Sequence, residues 1–354
     1  MSTSIQQALE QVLAGQDLTS EQMESSMNFI MQGEATSAQI AGFIVALRMK
    51  GECVDELAAA ARVMRSLSSK VNINAQPLVD TCGTGGDNAD TFNISTTAAF
   101  VTAGAGASIA KHGNRSVTSN CGSADLLERL GLNLKATPSL IEKSIEEIGI
   151  GFMFAPLFHP AMKHAIGPRR ELGMRTVFNI LGPLTNPAGA ESQLLGVFDT
   201  SLMEPMAECL NSLGCTEAMV VHGLDGLDEI STTCATAVCH LKNEVVKTST
   251  ITPEKMGVRK AQPDEIAGAG PIESAEITFK ILYGLAGRDA RAEVVHVNAA
   301  AGLIVASLAD DFTDGIEMAY ESIETGRAYA KLKNLIRVSG GDLSLLEEME
   351  DRFG

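Results

Sequence analysis

The chain has 354 residues, more than the roughly 250–300 at which a single hydrophobic core stops growing, so more than one lobe is expected. Hydrophobic residues make up 45% and charged residues 20%, a balance that excludes wholesale disorder. Lys and Arg total 27 against 44 Asp and Glu, and the net charge of −17 repels a nucleic-acid polyanion on average while allowing a local basic patch for a small anion.

The first seventy residues read as short amphipathic helices. Thr19 and Gln22, and Thr36 and Gln39, have capping-box spacing. Met23, Met27, Ile30 and Met31 recur at helical spacing, as do Ile40, Phe43, Ile44 and Leu47, and Gly33 and Gly51 stand where helices end. Near Pro77 the texture changes to strands alternating with helices. Strands are expected at 78–80, 107–110, 150–154, 193–198 and 218–221, with helices from Ser95, over 123–130 and from Pro138. Residues 237–241 and 244–246 suggest a hairpin turning at Lys242-Asn243, 259–271 a surface loop, and the tail from Ile277 more helix. The pattern gives an α/β fold class: a small all-helical N-terminal domain, 1–72, and a larger α/β domain, 73–354, with a mostly parallel sheet flanked by helices, part of 165–185 packing back on the helical domain.

Seven cysteines show neither zinc spacing nor a secretory framework and read as reduced thiols. His164, His240 and His296 read as satisfied structural or surface residues. The opening Met1-Ser-Thr-Ser-Ile-Gln-Gln lacks the features of a signal peptide, and no apolar run nears the roughly 18 residues of a membrane span, so a cytoplasmic protein is expected.

Four loops could carry chemistry. Asp80-Thr-Cys-Gly83-Thr-Gly85-Gly86-Asp87 puts three glycines between a strand and a helix that opens near Asn93-Ile94-Ser95-Thr96. Bare backbone N–H groups and the positive helix end favour a phosphate, although a tight structural turn explains the glycines as well. Lys111-His112-Gly113-Asn114-Arg115-Ser116 follows the next strand, with Ser119 and Ser123 beyond it, and offers cations, an amide and hydroxyls to an anion. Arg169, Arg170 and Arg175 are expected to open a helix, followed by a rigid turn over Gly182-Pro-Leu-Thr-Asn-Pro187; a guanidinium there can clamp a carboxylate, or simply salt-bridge a helix face. Asp228-Glu229 at a strand end suits Mg²⁺, though acids also fall together by chance in so acidic a chain. No thiol or serine nucleophile signature and no metalloprotease motif occurs, so the chemistry should rest on positioning and electrostatics.

Taken in order, Gly83-Thr-Gly-Gly-Asp87, Asn93-Ile-Ser-Thr96, Lys111-His-Gly-Asn-Arg115, Gly122-Ser-Ala-Asp125, Arg169-Arg170 and the run Arg175 to Pro187, with Asp228-Glu229, resemble the anthranilate phosphoribosyltransferase family of tryptophan biosynthesis. The resemblance implies a two-domain fold with its site at the hinge, and a homodimer formed through the helical domains. It also implies transfer of the phosphoribosyl group of phosphoribosyl pyrophosphate to the amine of anthranilate, releasing pyrophosphate. On that resemblance the donor is held by Gly83, Gly86, Asp87, Thr91, Asn93, Ile94, Ser95, Thr96, Lys111, His112, Gly113, Asn114, Arg115, Ser116, Val117, Thr118, Ser119 and Ser123. Anthranilate meets Gly83, Asn114 and Arg169, and Ser95, Asp228 and Glu229 ligate Mg²⁺, two ions per subunit. His112 is a candidate for the amine proton, with no essential base expected, since the aromatic amine is already a nucleophile. Ser116 and Asn120-Cys121 depart from the small or basic residues common in the family, at positions that contribute backbone. A pyrimidine nucleoside phosphorylase or a non-catalytic nucleic-acid-binding relative of the same fold are the alternatives; the former needs neither the acid pair nor Arg169, and the latter should be basic on one face.

Overall fold

The computed structural model describes residues 4–75, 77–87, 91–116, 120–268 and 270–354. Helices α1 (Ser4–Leu13), α2 (Ser20–Met31), α3 (Ser37–Lys50) and α4 (Val54–Ser66) come first. Both capping boxes form: the Thr19 and Thr36 hydroxyls accept from the Gln22 and Gln39 N–H groups, and the glutamine side chains accept in return from the cap N–H groups. The α1–α2 and α3–α4 loops are tied at Glu56, a fully buried carboxylate that accepts from Leu18 N, Cys53 N and Lys50 Nζ, each at 2.9 Å.

The α/β part follows as β1 (Leu78–Gly83), α5 (Ile94–Gly104), β2 (Ser108–Gly113), α6 (Ser123–Arg129), α7 (Pro138–Ile148) and β3 (Ile150–Phe154). The chain then crosses back through α8 (Ala155–Phe158), α9 (Lys163–Leu172) and α10 (Val177–Leu181). It resumes with β4 (Ser192–Gly196), α11 (Met203–Ser212), β5 (Glu217–Gly223), β6 (Thr236–Lys242) and β7 (Val245–Ile251), and closes with α12 (Pro271–Leu282), α13 (Ala290–Val305), α14 (Phe312–Glu324), α15 (Arg327–Val338) and α16 (Ser344–Phe353). The strands form one sheet in the order β3-β2-β1-β4-β5-β6-β7, parallel through β5 and antiparallel beyond it.

Alternation along the strands divides the core. Leu194, Met219 and Val221 face α5 and α12 to α15, while Leu195, Ala218 and Val220 face α11 and a core continuous with α1 to α4. Ala165, Val177, Phe178 and Leu181 of the crossover belong to that second core, so α9 and α10 are built into the helical lobe. The lobes are also latched by Arg65, whose guanidinium donates to the Leu184 and Leu213 carbonyls at 2.7 and 3.2 Å.

Several sequence expectations shift. Strand β2 runs on to Gly113, so Lys111 and His112 are strand residues and not loop residues. The hairpin turns one residue later, at Asn243 and Glu244, which both take positive φ (49° and 65°), the pair a twisted two-residue hairpin requires. Residues 259–271 are not simply a surface loop: Ala261 and Ile266 are buried, and Ala267 bridges Thr91. His296 is buried with both ring nitrogens unpartnered, so it is not a satisfied histidine, whereas His240 bonds Glu217 at 3.0 Å. All seven cysteines are free thiols. Among the described residues no helix is long and apolar enough to cross a membrane.

Candidate active site

In the strand order the chain runs outward from β1 to β3 and restarts on the other side at β4, so the carboxyl ends of β1 and β4 border the crevice where open α/β sheets bind ligands. A cavity of about 340 Å³ opens there. It is lined by the glycine loop, the first turn of α5, the β2–α6 loop, Arg169 and Phe178 from the helical side, and Asp228 and Glu229. Four segments far apart in sequence thus meet in one place. Among the predicted donor residues, Gly83, Gly86, Asp87, Thr91, Asn93 to Thr96, Lys111 to Ser116 and Ser123 all line it. Val117, Thr118 and Ser119 lie outside the described residues.

The acid pair sits over two glycines. Gly83 and Gly196 face each other across β1 and β4. A Cβ on Gly83 would lie 2.5 Å from Asp228 Oδ2, and one on Gly196 would overlap the Asp228 backbone carbonyl. The pair also holds the anion-seeking backbone: Asp228 Oδ2 accepts from Gly85 N at 2.8 Å, and Glu229 Oε1 accepts from Ser95 N, in the first turn of α5, at 3.0 Å. Asp225 shapes the same loop, with its Oδ2 accepting from the Ser231 (2.7 Å) and Thr233 hydroxyls.

Among the described residues neither Asp228 nor Glu229 forms a salt bridge; Lys111 offers Glu229 a more distant countercharge. Both carboxyl pKa values are raised, by burial first and then by a like charge, Asp87 acting on Asp228 and Asp228 on Glu229. Such a carboxyl holds its proton more tightly folded than unfolded. The folded state is therefore penalised above the folded-state pKa, and the penalty fades as pH falls toward the ordinary carboxylate range. Asp228→Asn should accordingly raise Tm at pH 8, by about 2–4 °C for each kcal/mol of repulsion removed, and raise it less at pH 5. Calorimetry at the two pH values checks this, and a shift no larger at pH 8 would contradict it. A buried Glu229 beside a half-buried Asp228, with no ion-pair partner among the described residues, fits a divalent metal as donors.

The cations around the cavity are held in different ways. Lys111 is buried, and its ammonium donates to the Thr81 carbonyl; burial lowers its pKa, against the nearby Asp80. Arg115 is held by Asp125 at 2.8 Å and by both oxygens of Glu128 at 2.8 and 2.9 Å. Asp125 also accepts from Ser116 N and Gly122 N, each at 3.0 Å, which ties those two residues to the start of α6. Arg169 behaves otherwise: its guanidinium lies 5.1 Å over the Phe178 ring, half-buried, and among the described residues no carboxylate pairs with it. Burial alone lowers its pKa. Arg170, by contrast, is exposed. The arginines do not open a helix as expected: Arg169 and Arg170 close α9, whose end at Gly173 takes positive φ, and Arg175 lies before α10. Arg175 holds the glycine loop, donating to the Gly86 carbonyl at 2.5 Å while packing 4.2 Å from Phe198.

His112 lies beside His159, ring centroids 5.0 Å apart. Burial, then the His159 charge, push the His112 pKa down to about 3; burial pushes His159 to about 4. Both are neutral near pH 7, and the Nε2 of each is buried and unpartnered. Beneath them Asn186, from the Gly-Pro-rich turn, donates to Asp80 Oδ2 and the Ala110 carbonyl, each at 2.8 Å, and Asp80 accepts from His112 N.

Family models describe the same two parts. The helical bundle domain of the glycosyl transferase family matches residues 6–68, and the a/b domain of that family matches residues 75–329. An anthranilate phosphoribosyltransferase of Alkaliphilus metalliredigens is 50% identical over 95% of this chain and 98% of its own length. The chain belongs to the anthranilate phosphoribosyltransferase family. Among solved structures, the family member from Thermus thermophilus superposes with a TM-score of 0.89 at 40% identity, covering 94% of this chain and 99% of that one. The Saccharomyces cerevisiae member, in complex with PRPP and Mg, gives 0.88 at 30% identity, covering 95% and 98%.

One residue that shapes the cavity, Gly196, is not singled out in the sequence, and another, Arg175, is singled out for a different task. Gly196 ends an otherwise apolar strand, where a glycine signals close approach of another backbone. Arg175 reads in sequence as a possible carboxylate clamp, whereas in the structure it holds the Gly86 carbonyl.

Proposed function

We propose that this chain transfers the phosphoribosyl group of phosphoribosyl pyrophosphate to the amine of anthranilate, releasing pyrophosphate, in tryptophan biosynthesis. The observation that carries the reading is Arg169, a half-buried guanidinium without a carboxylate partner among the described residues, which lines the same cavity as the glycine loop and the buried acids. A cation so placed suits the carboxylate of a small aromatic acid, and the Phe178 ring beneath it offers an apolar face.

The residue roles in this reading follow the chemistry. Gly83, Gly85, Gly86 and the N–H groups at the start of α5 approach the donor phosphates, with Asp87, Thr91, Asn93, Thr96 and the β2–α6 loop from Asn114 to Ser123 closing around the sugar. Ser95, Asp228 and Glu229 hold Mg²⁺, in our reading two ions per subunit. Mg²⁺ neutralises the departing pyrophosphate. The chain's own part is to hold the amine in line with C1 of the sugar and exclude water, worth up to roughly 7–11 kcal/mol in favourable systems. The neutral His112 offers its Nε2 lone pair to the amine as a hydrogen-bond acceptor; a base so weak is not required for an amine that is already nucleophilic. The α/β domain, 73–354, binds the donor. The helical lobe, 1–72 with α9, is read as the homodimer surface, supported by exposed Leu13, Met49 and Ile166 on helices that pack together. Light scattering that found only monomer would remove that part. A cytoplasmic location is consistent with this chemistry.

The test is steady-state fluorescence of anthranilate consumption with donor and Mg²⁺. Arg169→Ala should raise KM for anthranilate about 10–150-fold, the worth of one charge-assisted hydrogen bond, with KM for the donor unchanged. Equal changes in both constants would remove Arg169 from the acceptor side. No consumption by folded wild-type protein would overturn the reading.

A further inference from the structure

Beyond the cavity, helix α13 carries a buried amide in an apolar stretch, Asn298. Its Oδ1 accepts from Ile230 N at 3.0 Å, and its Nδ2 donates to Ile230 O at 3.0 Å and to Val294 O at 2.8 Å. One side chain thus grips both polar groups of a single residue, the one that follows Glu229. Ile230 is itself fully buried. Asp225 braces the acid loop from within, whereas Asn298 ties it to a helix 68 residues away.

That element is also the partner of α5. The Thr102 hydroxyl reaches the Ala299 carbonyl at 3.3 Å, and a Cβ on Gly302 would lie 3.0 Å from the same hydroxyl, so the helices pack closely. Ser95, in the first turn of α5, donates to Glu229. Helix α13 therefore fixes both ends of the Glu229–Ser95 contact, one through Asn298 and one through α5.

We infer that Asn298 is a positioning residue for metal-assisted phosphoribosyl transfer, setting Glu229 against the first turn of α5 through the Ile230 peptide. The inference rests on the metal reading of Asp228 and Glu229 given above. A group that orients a metal ligand without touching the metal is worth about 10–100-fold in metal affinity.

The probe is Mn²⁺ binding in the presence of inorganic pyrophosphate, followed by electron paramagnetic resonance. Asn298→Asp keeps the shape but replaces the donor facing two carbonyls with an oxygen; Asn298→Ala removes the grip. Both should weaken Mn²⁺ by about 10–100-fold while KM for anthranilate stays within about twofold. A purely structural role would instead move KM for anthranilate and Tm while leaving Mn²⁺ affinity intact, and that result would overturn the proposal. The control is the double change Asp228→Ala and Glu229→Ala. If the control loses Mn²⁺ and the Asn298 variants do not, the proposal alone fails. If the control keeps Mn²⁺, the metal reading fails and the proposal with it. Should neither Asn298 variant fold, amide hydrogen exchange of the wild-type protein decides: the Ile230 amide should be protected by about 10³-fold or more, and loop-like exchange would overturn the grip.

Discussion

Changing Asp228 to Asn together with Glu229 to Gln should lower kcat by about 10³-fold, because several kcal/mol of leaving-group neutralisation rest on these two carboxylates. The substitutions are close to isosteric. The amide oxygens can still accept from Gly85 N and Ser95 N, which the carboxylates engage at 2.8 and 3.0 Å, so the glycine loop and the start of α5 should stay in place. The loss should therefore appear without a fall in Tm, and raising Mg²⁺ should recover only part of it. The measurement is kcat across a Mg²⁺ titration, with Tm alongside. Activity within about tenfold of wild type at ordinary Mg²⁺ would show that the pair does not serve the chemistry.

Gly196→Ala should be nearly as damaging, and far worse than Gly83→Ala. A Cβ at 196 would overlap the Asp228 backbone carbonyl, whereas one at 83 meets the Asp228 carboxylate oxygen at 2.5 Å. The carboxylate can swing aside. The carbonyl is fixed in a loop pinned by Asp225 and Asn298. The alanine at 196 must push the whole acidic loop away from the sheet, and a displacement of about 1 Å can cost about 10²-fold in rate. We expect kcat to fall about 10²-fold for Gly196→Ala, with KM for anthranilate little changed because Arg169 lies on the opposite lobe. Gly83→Ala should lose about tenfold or less. Steady-state rates for the two variants check the order, and the reverse order would mean that the acid loop is not seated on β4.

The parts of the site legible in the sequence are those where chemistry and backbone demand coincide in a short run. The glycine loop, the opening of α5 and the acid pair each announce themselves that way. The arginines of 169–175 are visible, but not which one faces the cavity, since that depends on how α9 packs on the helical lobe. Side-chain direction is also hidden. Lys111 appears in sequence as a free cation beside Arg115, but it lies within β2, where its ammonium turns to the neighbouring strand's Thr81 carbonyl. Arg115 is bound to acids ten and thirteen residues away, a pairing that only the fold of the β2–α6 loop creates. Asn298 is invisible for a related reason, and Gly196 shows only as a glycine in an apolar strand, without naming the backbone that approaches it. Each meets a loop contributed by a distant segment, and which segment that is depends on the fold. The helical lobe is easier: its period and capping boxes are local, and its outline follows from them. That its core runs on into one face of the sheet is not legible, because strand faces are assigned only once the sheet order is known.

The Gly85 and Ser95 amides already face carboxylates of the protein itself. A helix opening and a glycine nest ordinarily welcome any oxyanion of the right size. Here an arriving bare phosphate, sulfate or pyrophosphate would meet a carboxylate where it looks for N–H groups, and would have to displace one of the protein's own acids. An anion escorted by divalent cations faces the opposite situation, since the acids gain a partner as they release the amides. The arrangement therefore suits an anion that brings divalent cations with it better than a bare one.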